Sequence, residues 1–269
     1  MYTMNSIPSK NWVDTHFHVF HAGEAVAGAR YVPPYAALLP DWMALAQSVG
    51  VTRGVWVQPS FLGVDNRLMV TALKAHPHTL RGVAVVAANT PVDELQALHD
   101  AGVRGLRLNL AGISHDIPEW TQAEPVWRTM HQLGWHLEVH TDQGALPQVL
   151  TQLPSDLPLV VDHMGKPSAA SATDASLTAL IARAQQVPTY VKLSGAYRLG
   201  GVDATQLARL WLDALGPSAL LWGSDWPCTN HEQLASYPHL FFQLERWVGA
   251  AHVEQVLSHN PQRVYWSGA

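Results

Sequence analysis

Apolar residues along this chain gather into β-rich runs of five to seven residues, with room between most of them for an amphipathic segment. The runs are WVDTH (12–16), GVWVQ (54–58), GVAVV (82–86), VRGLRLN (103–109), WHLEVH (135–140), LPLVVDH (157–163), TYVKLS (189–194) and ALLWGSD (219–225). Helix punctuation stands between them. In TPVDELQALHDAG, Thr90 suits the cap and Pro91 the first turn, Asp93 completes a capping box, and Gly102 ends the segment. In TQLARLWLDALGP, Leu207, Leu210, Trp211 and Leu215 share a face, with Gly216 and Pro217 as the stop. DWMALAQSVG (41–50) reads the same way, and SAASATDAS (168–176) reads as a short loop into a helix rather than a linker. Alternation of strand and helix implies right-handed βαβ units and a parallel sheet, and eight strands close a (β/α)8 TIM barrel. The expectation is a single α/β barrel domain over residues 1–269. A doubly wound open sheet competes, but no Gly-rich phosphate loop follows the first run.

Composition narrows the class without naming a function. With 269 residues, 48% of them apolar, the chain can bury a large core. Its net charge of −5 carries no block of like charges, so neither a nucleic-acid nor a membrane surface is indicated. Cys228 is the single cysteine, which excludes an internal disulfide and fits a reducing compartment. The N-terminal MYTMNSIPSK lacks an apolar signal core, and no apolar run reaches the roughly 18 residues that span a bilayer. A cytoplasmic protein is expected, with its oligomeric state open.

In a barrel of this kind chemistry sits at the C-terminal ends of the strands. Polar residues cluster there. The first run ends in His16 and His18, the second in Gln58 and Ser60, and the fourth in Arg107 and Asn109. The fifth ends in His140, the sixth in His163, the seventh in Ser194 with Arg198 beyond, and the eighth in Asp225. Period-two alternation places Asp14, His16 and His18 on one face. A lone histidine at a strand end is more often a satisfied core or surface residue than a ligand, and fifteen histidines allow a chance His-x-His pair. Four histidines and an aspartate at the ends of strands one, five, six and eight are much harder to attribute to chance. Arg104 is out of phase with Arg107 and reads as structural, while His76, His78, His99, His131 and His252 read as solvated. His231 lies close enough beyond the last strand to touch a substrate. The Gly/Pro-rich stretch 21–40 is either a lid carrying Arg30 and Tyr31 or a plain connector.

VDTHFHVF, LEVH, VVDHMGKP and LWGSDWP together resemble the amidohydrolase superfamily, and VWVQPSFLGVDNR, GVRGLRLNL and VKLSGAYRL resemble its lactone-hydrolase branch related to 2-pyrone-4,6-dicarboxylate lactonase. The resemblance runs from about residue 12 to the C-terminus. It implies a (β/α)8 barrel, hydrolysis of a small lactone, and a metal-type set at His16, His18, His140, His163 and Asp225, with Asp225 as ligand and base. Where some members carry a bridging carboxylated lysine, Arg107 and Asn109 stand here, against a two-metal centre. The branch leaves the metal open: its pyrone-dicarboxylate member works without one and has Tyr where His140 stands, so one Zn²⁺ and a metal-independent site are both admitted.

For lactone hydrolysis, Asp225 would accept the proton of the attacking water, and His16, His18 and His163 would withdraw charge from the carbonyl as it becomes tetrahedral. Trp222 and Trp226 would limit water access. Arg107 and Arg198 favour an anionic substrate, since a guanidinium fork matches a carboxylate, although either can equally form a structural ion pair. Gln58, Ser60, Asn109 and His140 are further substrate contacts. A metal-dependent decarboxylase, a lactone isomerase and a ligand-binding barrel with a decayed site are the alternatives.

Overall fold

The computed structural model describes residues 11–267. The reading of residues 1–10 as lacking a signal core, and both ends of the 1–269 domain span, lie outside the described residues. Eight strands, β1 (Trp12–Phe17), β2 (Val51–Val57), β3 (Leu80–Ala84), β4 (Val103–Asn109), β5 (His136–His140), β6 (Leu159–Val161), β7 (Thr189–Leu193) and β8 (Leu220–Trp222), pair in sequence order. Every ladder is parallel. The sheet closes between the end of β1 and the segment after β8, through Asp225 N–H to His16 O and His18 N–H to Trp226 O, both 2.8 Å. This is the (β/α)8 barrel that the alternating pattern predicts. No helix among the described residues is long and apolar enough to cross a membrane.

The helices outside the barrel are α1 (Leu39–Ser48), α2 (Arg67–Ala75), α3 (Val92–Ala101), α4 (Pro118–Thr121), α5 (Glu124–Leu133), α6 (Leu146–Leu150), α7 (Ala175–Ala184), α8 (Ala204–Leu215) and α9 (Tyr237–Val248). Their apolar faces bury a continuous shell against the strands, while Val13, Val55, Val57, Val83, Val160 and Leu221 pack inside the barrel with Tyr265. Gly102 ends α3 in the left-handed conformation, at φ +111°, as expected. Thr90 does not cap that helix. Its hydroxyl instead accepts the Ala87 N–H at 3.0 Å, and no side chain caps α3. Side-chain caps appear at Asp174 for α7 and Asp203 for α8.

The period-two reading of β1 fails at one point. Between Asp14 and Phe17 the strand advances three residues while β2 advances two, from Gly54 to Trp56. That one-residue bulge turns Asp14 outward while His16 and His18 face inward. Asp14 then binds the helix layer: it accepts from Trp42 Nε1 at 3.0 Å, Tyr237 OH at 3.0 Å and Ser224 Oγ at 2.7 Å. Phe17, also outward, stacks on Trp42 at 3.8 Å.

Candidate active site

Inside the barrel, four side-chain atoms converge where β1, β6 and β8 end. His16 Nε2 lies 3.3 Å from His18 Nε2. Asp225 Oδ1 lies 3.6, 3.4 and 3.9 Å from the Nε2 atoms of His16, His18 and His163. Each imidazole is held from behind by its other nitrogen. Nδ1 of His16 is 3.0 Å from Asp162 Oδ1, Nδ1 of His18 is 2.7 Å from the Val57 carbonyl, and Nδ1 of His163 is 3.0 Å from Ser194 Oγ. With Nδ1 of His18 and of His163 directed at these acceptors, three Nε2 atoms face one carboxylate oxygen. Outer partners that fix the tautomer in this way are typical of metal-ligating histidines.

Two glycines make the cup possible. A Cβ at Gly223 would stand 2.4 Å from His16 Cβ, and one at Gly195 would stand 2.6 Å from His163 Nδ1. Both imidazoles therefore occupy volume that any other residue would fill. Asp225 sits at φ +56°, a left-handed position that Asp tolerates better than most residues, and this turn carries its carboxylate back over the barrel axis. Oδ2 of Asp225 is clamped from the opposite side by Arg198 Nε at 2.6 Å and Tyr197 OH at 2.8 Å.

The electrostatics follow from burial and these partners. Burial pushes the His16 pKa down to about 3, against an opposing pull from Asp162, so it is neutral at pH 7. Burial likewise holds His140 and His163 well below the ordinary histidine value. Burial alone would raise Asp225, but Arg198, His163 and the hydrogen bond with His18 outweigh it and keep the carboxyl well below its usual range. The cup thus joins the neutral imidazoles of His16 and His163 to an ionised carboxylate.

That donor set fits a divalent cation. Bonds of 2.0–2.1 Å in a tetrahedron put neighbouring ligand atoms roughly 3.3–3.4 Å apart. The separations here run from 3.3 to 3.9 Å. His16, His163 and Asp225 form one fully buried group able to hold an ion; His140 groups instead with Asp162 and His163. The His140 ring stands edge-on to His163 at 4.6 Å, and neither of its buried nitrogens has a hydrogen-bond partner.

Above the cup opens a cavity of about 260 Å³, lined among others by His18, Ser60, Asn109, His140, His163 and Asp225. Arg107 and Arg198 also line it, and each has spent its best edge. Arg107 gives Nε and Nη2 to Asp162 Oδ2 at 3.0 and 2.9 Å, while Arg198 gives Nε to Asp225 and Nη2 to the Thr229 carbonyl at 3.0 Å. Gln58 is not among the lining residues. Its amide donates to the Asp65 carbonyl at 2.8 Å and so braces the loop after β2. His231 lies beside Tyr197 at 5.1 Å, outside the lining. Trp222 faces the helix layer, giving its Nε1–H to Leu240 O at 3.3 Å, so it shields no water from the cup. In the stretch after β1, Phe20 and Ala37 exchange backbone hydrogen bonds at 2.9 Å, and Arg30 and Tyr31 line the cavity wall.

Beneath His16 the barrel holds charges that a reading of strand ends passes over. Lys192 Nζ donates to Glu138 Oε2 at 2.6 Å and lies 3.6 Å from Asp162 Oδ1, all three side chains being fully buried. Burial would lift Asp162, but His16, Arg107 and Lys192 hold it well below the ordinary carboxylate value. A signal existed. Glu138, Asp162 and Lys192 are lone charges inside the apolar runs WHLEVH, LPLVVDH and TYVKLS, and a charge on a doubly covered strand requires a partner.

Barrel, cup and flanking wall define a hydrolase-type (β/α)8 site with its donor groups on strands one, six and eight. The chain belongs to the amidohydrolase family, whose model matches residues 13–266. It is 32% identical to a 2-pyrone-4,6-dicarboxylate hydrolase of Comamonas testosteroni, over 94% of this chain and 90% of that protein. It is 30% identical to a 4-sulfomuconolactone hydrolase of Rhizobium radiobacter, over 84% and 78% respectively. Among solved structures, a probable 2-pyrone-4,6-dicarboxylic acid hydrolase from Acinetobacter baumannii with citric acid bound superposes with a TM-score of 0.86 at 32% identity. That match covers 95% of this chain and 99% of the other.

Proposed function

We propose that the protein opens a small carboxylated lactone by hydrolysis. The observation that carries this reading is the convergence of three imidazole Nε2 atoms and Asp225 Oδ1 at the floor of a cavity, in a chain whose relatives include two lactone hydrolases. Water adds to the ring carbonyl carbon and loses a proton to Asp225 Oδ1. The ring C–O bond then breaks, and the departing oxygen takes a proton, so that lactone and water become one hydroxy acid or its keto form. Arg198 and Tyr197 hold Oδ2, which leaves Oδ1 as the basic atom and fixes its direction. His16, His18 and His163 are the residues that would hold a divalent ion with Asp225, and imidazole nitrogens suit zinc. Such an ion would polarise the ester carbonyl and acidify the attacking water, which a carboxylate of such low basicity demands of its partner. Arg107 and Arg198 give the cavity a positive potential toward an anionic substrate, while Ser60, Asn109 and His140 offer hydrogen bonds to ring oxygens.

A panel of pyrone carboxylates, muconolactones and sugar lactones, followed with a pH indicator, tests the reading, because each ring opening at neutral pH releases one proton. Opening of at least one carboxylated member is expected. Carbon dioxide release without ring-opened product would move the assignment to a decarboxylase. Elemental analysis beside the same assay after chelation tests the ion: turnover that survives removal of all bound metal would leave the imidazoles acting alone.

A further inference from the structure

We propose that Arg30 is the specificity-determining residue that clasps the substrate's carboxylate at the cavity mouth. This rests on the lactone-hydrolase reading and names the end of the substrate that lies away from the reacting carbonyl. Three guanidinium groups line the cavity: Arg30, Arg107 and Arg198. The Nε/Nη2 edge of Arg107 is closed by Asp162 at 3.0 and 2.9 Å, and Arg198 divides the same edge between Asp225 at 2.6 Å and the Thr229 carbonyl at 3.0 Å. A side-on bidentate grip on a carboxylate uses that edge, and only the Nη1/Nη2 end remains to Arg107 and Arg198. Arg30 alone of the three makes no hydrogen bond or ion pair among the described residues. Of the acids around the loop, Glu24 accepts the His21 N–H at 3.3 Å, Glu232 accepts from Tyr35 OH, and Asp142 accepts the Gly112 N–H at 3.0 and 2.9 Å.

The backbone seats this cation rather than leaving it to wander. Gly23 N–H to Pro33 O at 3.0 Å and Val26 N–H to Phe61 O at 2.8 Å tie its loop to itself and to the turn after β2. Phe61 packs edge-on against Phe20 and Tyr31 within the same small cluster. Across the mouth, the Arg30 Nη1 atom lies against Gly112, 2.9 Å from where a Cβ would stand. Further in, His140 and the buried Thr229 Oγ1 have no hydrogen-bond partners, which leaves neutral polar groups for the body of a ring. From mouth to floor the cavity therefore offers a free cationic fork, uncharged donors and acceptors, and the catalytic cup. That sequence matches a lactone whose carboxylate points outward.

Two measurements on Arg30→Ala test this, with a thermal melt to verify the fold of a variant altered at an exposed side chain. In an NMR titration, 2-furoate, a flat ring carboxylate, should bind the variant at least tenfold more weakly than the native protein. Equal affinity would overturn the proposal. For the fastest carboxylated lactone of the panel and its carboxamide, the ratio of the two kcat/KM values should fall at least 30-fold, through KM rather than kcat. An unchanged ratio, or a loss confined to kcat, would overturn it. Should no lactone be opened at all, the functional reading falls while the furoate titration still decides the role of Arg30.

Discussion

His16 divides two regions built from the same parts. On its Nδ1 side, Asp162 is paired with Arg107; on its Nε2 side, Asp225 is paired with Arg198. Both carboxylates are buried, both are held ionised against their own desolvation, and both are clamped by a guanidinium. The difference lies in what closes the circle. Around Asp162 the partners are all protein, with Lys192 and Glu138 completing the charge below it. Around Asp225 one oxygen is clamped and the other faces three imidazole nitrogens and a cavity. The same pairing of carboxylate and guanidinium is enclosed by further buried charges at Asp162 and opens on a cavity at Asp225.

Breaking the open side should have the largest effect. Asp225→Asn keeps the shape and removes the base, so lactone opening should fall about 10³-fold or more in kcat, within the range for general base catalysis. Circular dichroism should stay native, and retained turnover would show that the proton goes elsewhere. Breaking the closed side should read out in stability instead. Asp162→Ala takes from Arg107 its bidentate partner in the barrel, and uncompensated buried charge costs about 3–5 kcal/mol, measurable by urea unfolding. A loss below about 1 kcal/mol would mean that water replaces the carboxylate and that the region is not sealed.

Acid sharpens the same contrast. His16 has its folded pKa lowered to about 3 from the ordinary 6.5. Below pH 6.5 the unfolded chain takes up a proton that the folded chain refuses, so stability is lost as pH falls from about 6.5 toward 3. The neighbouring carboxylates act lower. Their folded pKa values are depressed, so their contribution is intact above about pH 4 and disappears beneath it. Melting temperature followed between pH 8 and 4 should decline, beginning near 6.5. A flat profile would contradict a neutral, buried His16. The smallest effect is expected from Tyr197→Phe, which removes one of two clamps on Oδ2 and should slow turnover about tenfold, in line with about 1.4 kcal/mol for one hydrogen bond to a charged group. The melting temperature should change little.

Much of this was legible in the residues. Strand number, order and the polar strand ends followed from apolar runs and helix punctuation, because a parallel barrel repeats one local rule eight times. His16, His18, His163 and Asp225 were visible as polar interruptions where those runs stop. Asp14 was misplaced because one extra residue in β1 inverts the alternation, and nothing in WVDTHFHVF marks the bulge. Asp162, Glu138 and Lys192 were hidden for a different reason. A charge in mid-strand acquires meaning only from the partner across the barrel, and pairing across 54 residues, as between Glu138 and Lys192, has no local signature. Whether Arg107 and Arg198 face substrate or form ion pairs stayed open in the sequence for the same reason: their partners lie 55 and 27 residues away along the chain.

The seam between the end of β1 and the segment after β8 has a consequence for synthesis. His16 and His18 leave the ribosome early, but the carboxylate that completes their cup follows more than two hundred residues later and is fixed by the very hydrogen bonds that shut the sheet. A chain still lacking β8 carries imidazoles and no base. On the proposed function, activity would therefore report finished folding, and a circular permutant with new termini at this seam would lose that activity before it lost the barrel.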